Sequence, residues 1–273
     1  MEKLKEKIAV LGCGNIGKAI AQGLLDSKII SPNKLTVTRR NTGVLKELSD
    51  IGVNVSSNNK EAVKNSSIII LAVTPQKMNG ILEEIKENLD SKKHIILSIV
   101  TGAEIKDIKE IIGKGIPVVR VMPNTAISIK ESMTCLSADK NDSSALKTAV
   151  RIFNTVGKTA VINEDLMVPA TSLVACGIAF FLRAIRAAGQ GGTEIGFHAE
   201  DAIMMAAQTA KGAASLLVDG GFHPEREIDK VTTPLGLTIT GLNQMEHNGF
   251  SSAMITGIVS SAKRAETIFK KDK

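Results

Sequence analysis

The sequence predicts an α/β protein in two parts: a doubly wound domain over residues 1–163, then an all-helical domain over 164–273. Three observations carry this. Up to about Asn163, short β-branched runs alternate with helical stretches, the order that builds a largely parallel sheet with helices on both faces. Several runs, such as Ser67 to Val73, are apolar throughout, as strands covered on both sides are. After Glu164 the strands stop, and long segments rich in Ala, Met and Leu follow.

The predicted strands are Ile8 to Leu11, Leu35 to Thr38, Val53 to Val55, Ile68 to Val73, His94 to Ile99, Val118 to Val121, Met133 to Ser137 and Thr159 to Ile162. Beyond them, Asp165 to Ala188, Ala199 to Asp219, Leu237 to His247 and Ser251 to Phe269 place apolar residues at helical spacing, with small residues that allow close helix contact. So apolar a bundle buries its faces against a second copy. A homodimer, or a larger assembly of dimers, is the expectation.

Composition narrows the function. The net charge of +6 is spread along the chain apart from a lysine-dense tail, and Trp and Tyr are absent. Nucleic-acid binding therefore has little support, while small anions suit the surplus of positive charge. Cys13, Cys135 and Cys176 are odd in number and widely spaced, which predicts reduced thiols in a reducing compartment. His94, His198, His223 and His247 form no HxxxH pair, so no metal site is expected. No apolar run is judged to approach the ~20 residues of a membrane span. The basic start MEKLKEK leads into a strand rather than a signal-peptide core, and a cytoplasmic, membrane-free protein is expected.

The stretch Leu11 to Ile20, LGCGNIGKAI, fits two phosphate-binding patterns at once. Gly12, Gly14 and Gly17 spell GxGxxG, whereas Gly12 to Lys18 spells GxxxxGK, the opening of a P-loop. A P-loop needs Ser or Thr next to ligate magnesium, and Ala19 stands there. The strand before the loop and the amphipathic stretch from Asn15 to Ser27 after it favour a Rossmann-like dinucleotide turn. Gly12 would permit the turn, Gly14 the approach of a pyrophosphate and Gly17 close helix–strand packing. Asn15 and Ile16 would open the helix that faces the anion.

The second strand ends in Thr38, Arg39 and Arg40, where an NAD enzyme usually carries an acid for the ribose hydroxyl. Two guanidinium groups and a hydroxyl suit a 2′-phosphate. The reading is NADPH, with NADH as the alternative cofactor.

Three further stretches are Leu71 to Gln76 (LAVTPQ), Arg120 to Thr125 (RVMPNT) and Asp229 to Leu242 (DKVTTPLGLTITGL). In this order and at these places the chain resembles the pyrroline-5-carboxylate reductase family, from Ile8 to about Ala265. The resemblance implies reduction of 1-pyrroline-5-carboxylate to L-proline, the last step of proline biosynthesis. It implies that Ala72, Val73 and Pro75 line the nicotinamide half of the cofactor, and that Met122, Pro123 and Asn124 border the meeting point of nicotinamide and substrate. Thr233 and Pro234 are read as an N-cap and first helical residue. By the resemblance this helix start, with Gly236 and Leu237, holds the imino acid's carboxylate, and Thr238 is the catalytic candidate beside the ring nitrogen.

The chain also departs from the family. Leu235 and Leu237 replace a glycine and a small residue, Cys176 to Ala179 replace Ser-Gly-Pro-Ala, Thr74 replaces a common Lys and Ala126 a common Pro. These changes leave the cofactor reading in place and put the expected shape of the substrate pocket in question. Two other readings stay open. One is a related NADP-linked 3-hydroxyacid dehydrogenase relying on a lysine such as Lys211; the other is a non-catalytic, dimeric NADP-binding sensor.

Overall fold

The computed structural model describes residues 3–271, with side chains from residue 3 to 267. Met1, Glu2, Asp272 and Lys273, part of the two basic ends noted above, lie outside the described residues. The order of elements in the first part is β1 (Ile8–Leu11), α1 (Asn15–Asp26), β2 (Leu35–Thr38), α2 (Lys46–Asp50), β3 (Asn54–Ser56), α3 (Asn59–Lys64), β4 (Ile68–Leu71) and α4 (Pro75–Ile85). There follow β5 (Ile95–Ser98), α5 (Ile105–Ile112), β6 (Val118–Met122), β7 (Ser132–Ala138), α6 (Ser143–Phe153) and β8 (Gly157–Val161). Each predicted strand is present, with ends shifted by a residue or two where fraying and hydrogen bonding decide the boundary.

The strands form one sheet in the order β3-β2-β1-β4-β5-β6-β7-β8. Among the described residues only the β6–β7 pairing is antiparallel, with Met122 opposite Cys135. Strand order reverses direction between β1 and β4, which pair Ile8 to Ile68 and Leu11 to Leu71. In doubly wound sheets ligands bind at the carboxyl edge of such a switch.

Alternation along the strands divides the interior in two. From β1, Ile8 and Val10 join Ile20 and Leu24 of α1 and Phe153 of α6 in one core. Ala9 and Leu11 point the other way, to Leu82 of α4 and Ile108 of α5 in the second. Both faces of β1 are thus dry, and all four of its residues are buried. The fully apolar runs in the sequence have this geometry as their cause.

The second part comprises α7 (Met167–Ala170), α8 (Gly177–Glu194), α9 (Ala199–Gly220), α10 (Pro224–Asp229), α11 (Leu237–His247) and α12 (Phe250–Lys271), with a π-helical turn at Thr171–Cys176. The short α10 is absent from the sequence expectation. Pro224 at its first turn and the His223 Nδ1 that accepts the Glu225 amide at 3.3 Å start it. The chain divides into two compact units: one ends at Ala175 and takes in α12 again from Ala265, the other spans Cys176–Arg264. Composition changes at Glu164, yet the compact division falls later because Met167 and Ser172 are buried in the first unit.

In the second unit α8 and α9 pack through small residues: a Cβ on Gly192 would stand 3.0 Å from Ala202 Cβ. Most of the unit's large apolar side chains, including Phe181, Leu182, Ile195, Met204, Leu216 and Ile255, are exposed. One expectation needs correction. Helical residues Glu164–Glu194 contain an 18-residue window of mean hydropathy 1.8, long and apolar enough by composition to cross a membrane. Interspersed Gly, Ser and Thr hide that length when the sequence is scanned for unbroken apolar runs. Within the chain 17% of this window is buried.

His94, immediately before β5, is buried. The Asp90 amide donates to Nδ1 at 2.8 Å, which leaves the ring proton on Nε2, 3.2 Å from Val63 O. Burial lowers its pKa below the ordinary 6.5; the bond to Val63 opposes the shift and Lys93 adds to it. The folded protein therefore keeps His94 neutral where the unfolded chain takes up a proton. Stability is full above pH 6.5 and falls as the pH drops through the window beneath it. The thermal unfolding midpoint is expected to fall between pH 7 and pH 5. His94→Gln, less stable at neutral pH, should flatten that dependence in a calorimetric series.

Candidate active site

The three glycines of the loop after β1 have three different causes. Gly12 has φ of +90°, and a Cβ there would overlap Val73 Cγ1 and stand 2.7 Å from Ala72 O. Gly17 brings α1 against the turn: its Cβ would meet Gly12 O at 2.8 Å and Ala72 Cβ at 3.3 Å. At Gly14 an added Cβ meets open space. No packing within the chain demands glycine at that position, which agrees with space left for a ligand's approach.

Hydrogen bonds hold the loop in shape. Gly12 and Cys13 amides donate to Thr38 O at 3.2 and 2.8 Å, and Gly14 donates to Gly12 O at 2.8 Å. The next amides, of Asn15, Ile16 and Gly17, open α1. Its N-cap Gly14 contributes no side-chain cap, and its first turn contains no acid. Donors and the positive end of the helix dipole therefore remain for an anion. Lys18 is drawn away to Glu47, with Nζ 2.6 Å from Oε2, so the lysine of the P-loop pattern is engaged elsewhere. Burial pushes the Cys13 thiol up to about 11, against the pull of Arg39 and Lys18; it is an inert, protonated filler.

A crevice of about 690 Å³ opens along the carboxyl ends of β2, β1 and β4, lined among others by Gly12, Gly14, Arg39, Arg40, Val73 and Thr74. Arg39 and Arg40 are both exposed there. Arg39 Nη1 donates to Cys13 O at 3.1 Å, which folds it over the glycine loop. Thr38 is buried, and its hydroxyl proton is committed to Asn59 Oδ1 at 2.7 Å while Gly12 N approaches its oxygen at 3.4 Å. Asn59 in turn donates to Glu84 Oε2 at 3.0 Å. The hydroxyl thus braces the loop, with its proton engaged within the chain, while the two exposed arginines line the crevice. Asn59 escaped the sequence reading, and only its position beside the Ser56–Asn58 turn hints at it. The conformation of that turn sets where it points.

A smaller pocket, about 160 Å³, lies beyond the loop at the ends of β5 and β6. Ile16, Met122, Pro123 and Asn124 line it together with Thr101, Gly102 and Arg120. Arg120 is buried, with Nη1 3.2 Å from Glu164 Oε1, and Glu164 also accepts the Ile105 amide at 2.7 Å. Pro75 is exposed at the first turn of α4, and Ala72 and Val73 stand over Gly12. Another hollow of about 590 Å³ lies by the carboxyl ends of β7 and β8, at the opposite edge of the sheet. It has no glycine loop.

In the second unit the helix start differs from expectation. Thr233 is not the N-cap and Pro234 not the first helical residue: α11 begins at Leu237 with Gly236 as N-cap. Thr233 to Gly236 form a turn closed by Gly236 N donating to Thr233 O at 2.9 Å. Pro234 suits its second position, and Leu235 takes its third with φ of +59°, where glycine is favoured. A Cβ on Gly236 would meet Thr233 Oγ1 at 2.5 Å, so the Thr233 hydroxyl lies against the helix start after all. The α11 start has no side-chain cap and no acid in its first turn. Leu235, Leu237 and Thr238 are all exposed, and Lys211 is exposed on α9.

A largely parallel sheet with a glycine loop at its switch point, an uncapped helix start and an arginine pair at the end of the second strand define a dinucleotide-dependent oxidoreductase. Comparison with known proteins is specific. Residues 7–102 match the family described as NADP oxidoreductase, coenzyme F420-dependent, and residues 164–268 match pyrroline-5-carboxylate reductase dimerisation. Pyrroline-5-carboxylate reductase 1 of Dictyostelium discoideum is 53% identical over 96% of the chain and half of its own length. Reductase 2 of that organism is 46% identical, covering 96% of this chain and 93% of its own. A crystal structure of Plasmodium falciparum pyrroline carboxylate reductase with NADP bound superposes with a TM-score of 0.84 at 26% identity, over 98% of this chain and 99% of that one. The chain belongs to the pyrroline-5-carboxylate reductase family. It spans half the length of the first of these relatives and nearly all of the second.

The glycines separate folding from binding. Gly12→Ala is expected to lower the unfolding midpoint, through strain at positive φ and the clash with Ala72. Gly14→Ala should leave that midpoint within about a degree and weaken NADPH binding by ~tenfold or more, since its methyl would occupy the ligand's approach. Calorimetry and a fluorescence titration with NADPH distinguish the two.

Proposed function

We propose that the chain reduces 1-pyrroline-5-carboxylate to L-proline with NADPH, as a homodimer or an assembly of dimers. The observation that carries the substrate assignment is the start of α11: an uncapped helix of 11 residues, free of acid in its first turn, with the Thr233 hydroxyl folded against it. Such a start suits a carboxylate. Family membership supplies the reaction class.

Bound NADPH supplies the hydride. Residues of the chain have the positional tasks. Amides at Asn15, Ile16 and Gly17 would hold the pyrophosphate, with Gly14 leaving room for its approach, and Arg39 and Arg40 would hold the 2′-phosphate by charge-assisted hydrogen bonds. Ala72, Val73 and Pro75, with Met122, Pro123 and Asn124, shape the nicotinamide end. The amides of Leu237 and Thr238, with the Thr233 hydroxyl, clamp the carboxylate. Thr238 hydrogen-bonds the ring nitrogen as it becomes an amine, and because a protonated imine forms in water no strong acid is required of the protein. The exposed apolar helices support association with a second copy through the segment that matches the dimerisation family. Three free thiols support a reducing, cytoplasmic setting.

NADPH oxidation dependent on pyrroline-5-carboxylate is the direct test, run beside NADH and a panel of 3-hydroxyacids. An inactive protein that binds NADPH would sink the assignment. Replacing both Arg39 and Arg40 with serine is expected to raise KM for NADPH by ~10- to 100-fold while leaving that for NADH nearly unchanged. Thr238→Ala should lower kcat at saturating imine by ~10- to 100-fold.

A further inference from the structure

The string RVMPN has a second use that its place in the sequence does not disclose. Arg120, Met122 and Asn124 alternate along the end of β6 and the loop after it, and each reaches one residue of the helical segment that follows β8. Arg120 Nη1 pairs with Glu164 at 3.2 Å, Met122 Sδ receives the Thr171 hydroxyl at 3.0 Å, and Asn124 Nδ2 donates to Val174 O at 3.4 Å. Helical spacing explains what this clasp holds in place. Met167, Thr171 and Ala175, at intervals of four, lie along one face and line the same 160 Å³ pocket as Ile16, Met122 and Asn124.

The segment so held is irregular. From Thr171 to Cys176 it is a π-helical turn, a widening found disproportionately at functional sites. Ser172 Oγ is wholly buried within it, with no hydrogen-bond partner among the described residues. Thr171 sits at the junction. Its hydroxyl lies 3.0 Å from Met167 O, one turn back, and 3.0 Å from Met122 Sδ. A β-branched threonine is stiff at χ1, whereas methionine has three free torsions and takes whatever shape its neighbours impose.

On the functional reading above, we propose that Met167, Thr171 and Ala175 form a wall of the nicotinamide-side pocket and that Thr171 is a positioning residue. Its hydroxyl, whose single proton lies between two acceptors, Met167 O and Met122 Sδ, ties the Met122 side chain to the start of the π turn, and so sets the width of the space in which the nicotinamide lies. Thr171 itself transfers no proton or hydride.

The test compares Thr171→Val, which keeps the shape and removes the hydroxyl, with Thr171→Ser, which keeps the hydroxyl. In the cofactor-free protein, hydrogen exchange of the amides from 172 to 176 should quicken by ~tenfold in the valine variant and stay at the wild-type rate in the serine variant. With NADPH, the valine variant should bind within ~threefold of wild type and lose ~tenfold in kcat, since misplacement of the ring affects the reaction more than affinity; serine should restore kcat. Wild-type exchange in the valine variant would overturn the proposal. So would faster exchange with kcat intact, or an equal loss of kcat in the serine variant. A wild-type protein with no imine reduction would refute the functional reading alone. The clasp would then be judged by exchange and by the fluorescence of bound NADPH, which valine should change and serine should not.

Discussion

The architecture depends on a contact from which side chains are excluded. Gly12 passes beneath Ala72 and Val73, and Gly17 rests on the Gly12 carbonyl. Backbone from β1, α1 and the end of β4 therefore meets at a separation that one methyl group would spoil. That closeness aims the start of α1 along the sheet's carboxyl edge. It also brings Cys13 within reach of Arg39, so that the guanidinium lies over the loop. Were either glycine larger, α1 would be displaced from the strand and the anion-facing amides would point elsewhere.

From this junction the crevice extends in two directions. Toward β2 and β3 it is polar: the two arginines stand at its rim, and the chain Thr38, Asn59 and Glu84 braces its floor. Toward β5 and β6 lies the smaller pocket, with a half-buried ion pair, Arg120 with Glu164, at its wall. Such a pair gains little net stability over an apolar replacement, because desolvation of the buried Arg120 offsets the attraction. Its value here is directional. Glu164 accepts from both Arg120 and the Ile105 amide, which ties β6, the start of α5 and the entry to the helical segment to one oxygen atom.

Much of the first unit was legible because its signals are local and redundant. The runs Ile8 to Leu11 and Ile68 to Leu71 are apolar at every position, and burial on both faces is the arrangement that tolerates this. The glycine spacing was legible for the same reason, Gly12 and Gly17 each answering a steric demand within the chain. Illegible were features set by a single backbone angle or by distant packing. At Thr233 and Pro234 the residues fit a helix start and the first half of a turn equally well. What decides is the positive φ of Leu235, and leucine does not advertise that conformation. Likewise, the role of Thr38 as a brace depends on Asn59, 21 residues away. The entry segment from Glu164 to Ala175 looks in sequence like the rest of the apolar helices, because its attachment to the sheet includes three contacts from β6 and the loop after it.

The helical unit has few apolar side chains hidden within itself. By mass action, a fold whose hydrophobic cover comes from another molecule has no fixed stability of its own, since each dilution shifts the balance toward bare helices. Its melting temperature is then a property of the solution as well as of the chain. In a cell the same law ties endurance to abundance: a scarce product of this gene spends longer uncovered, and a plentiful one protects itself.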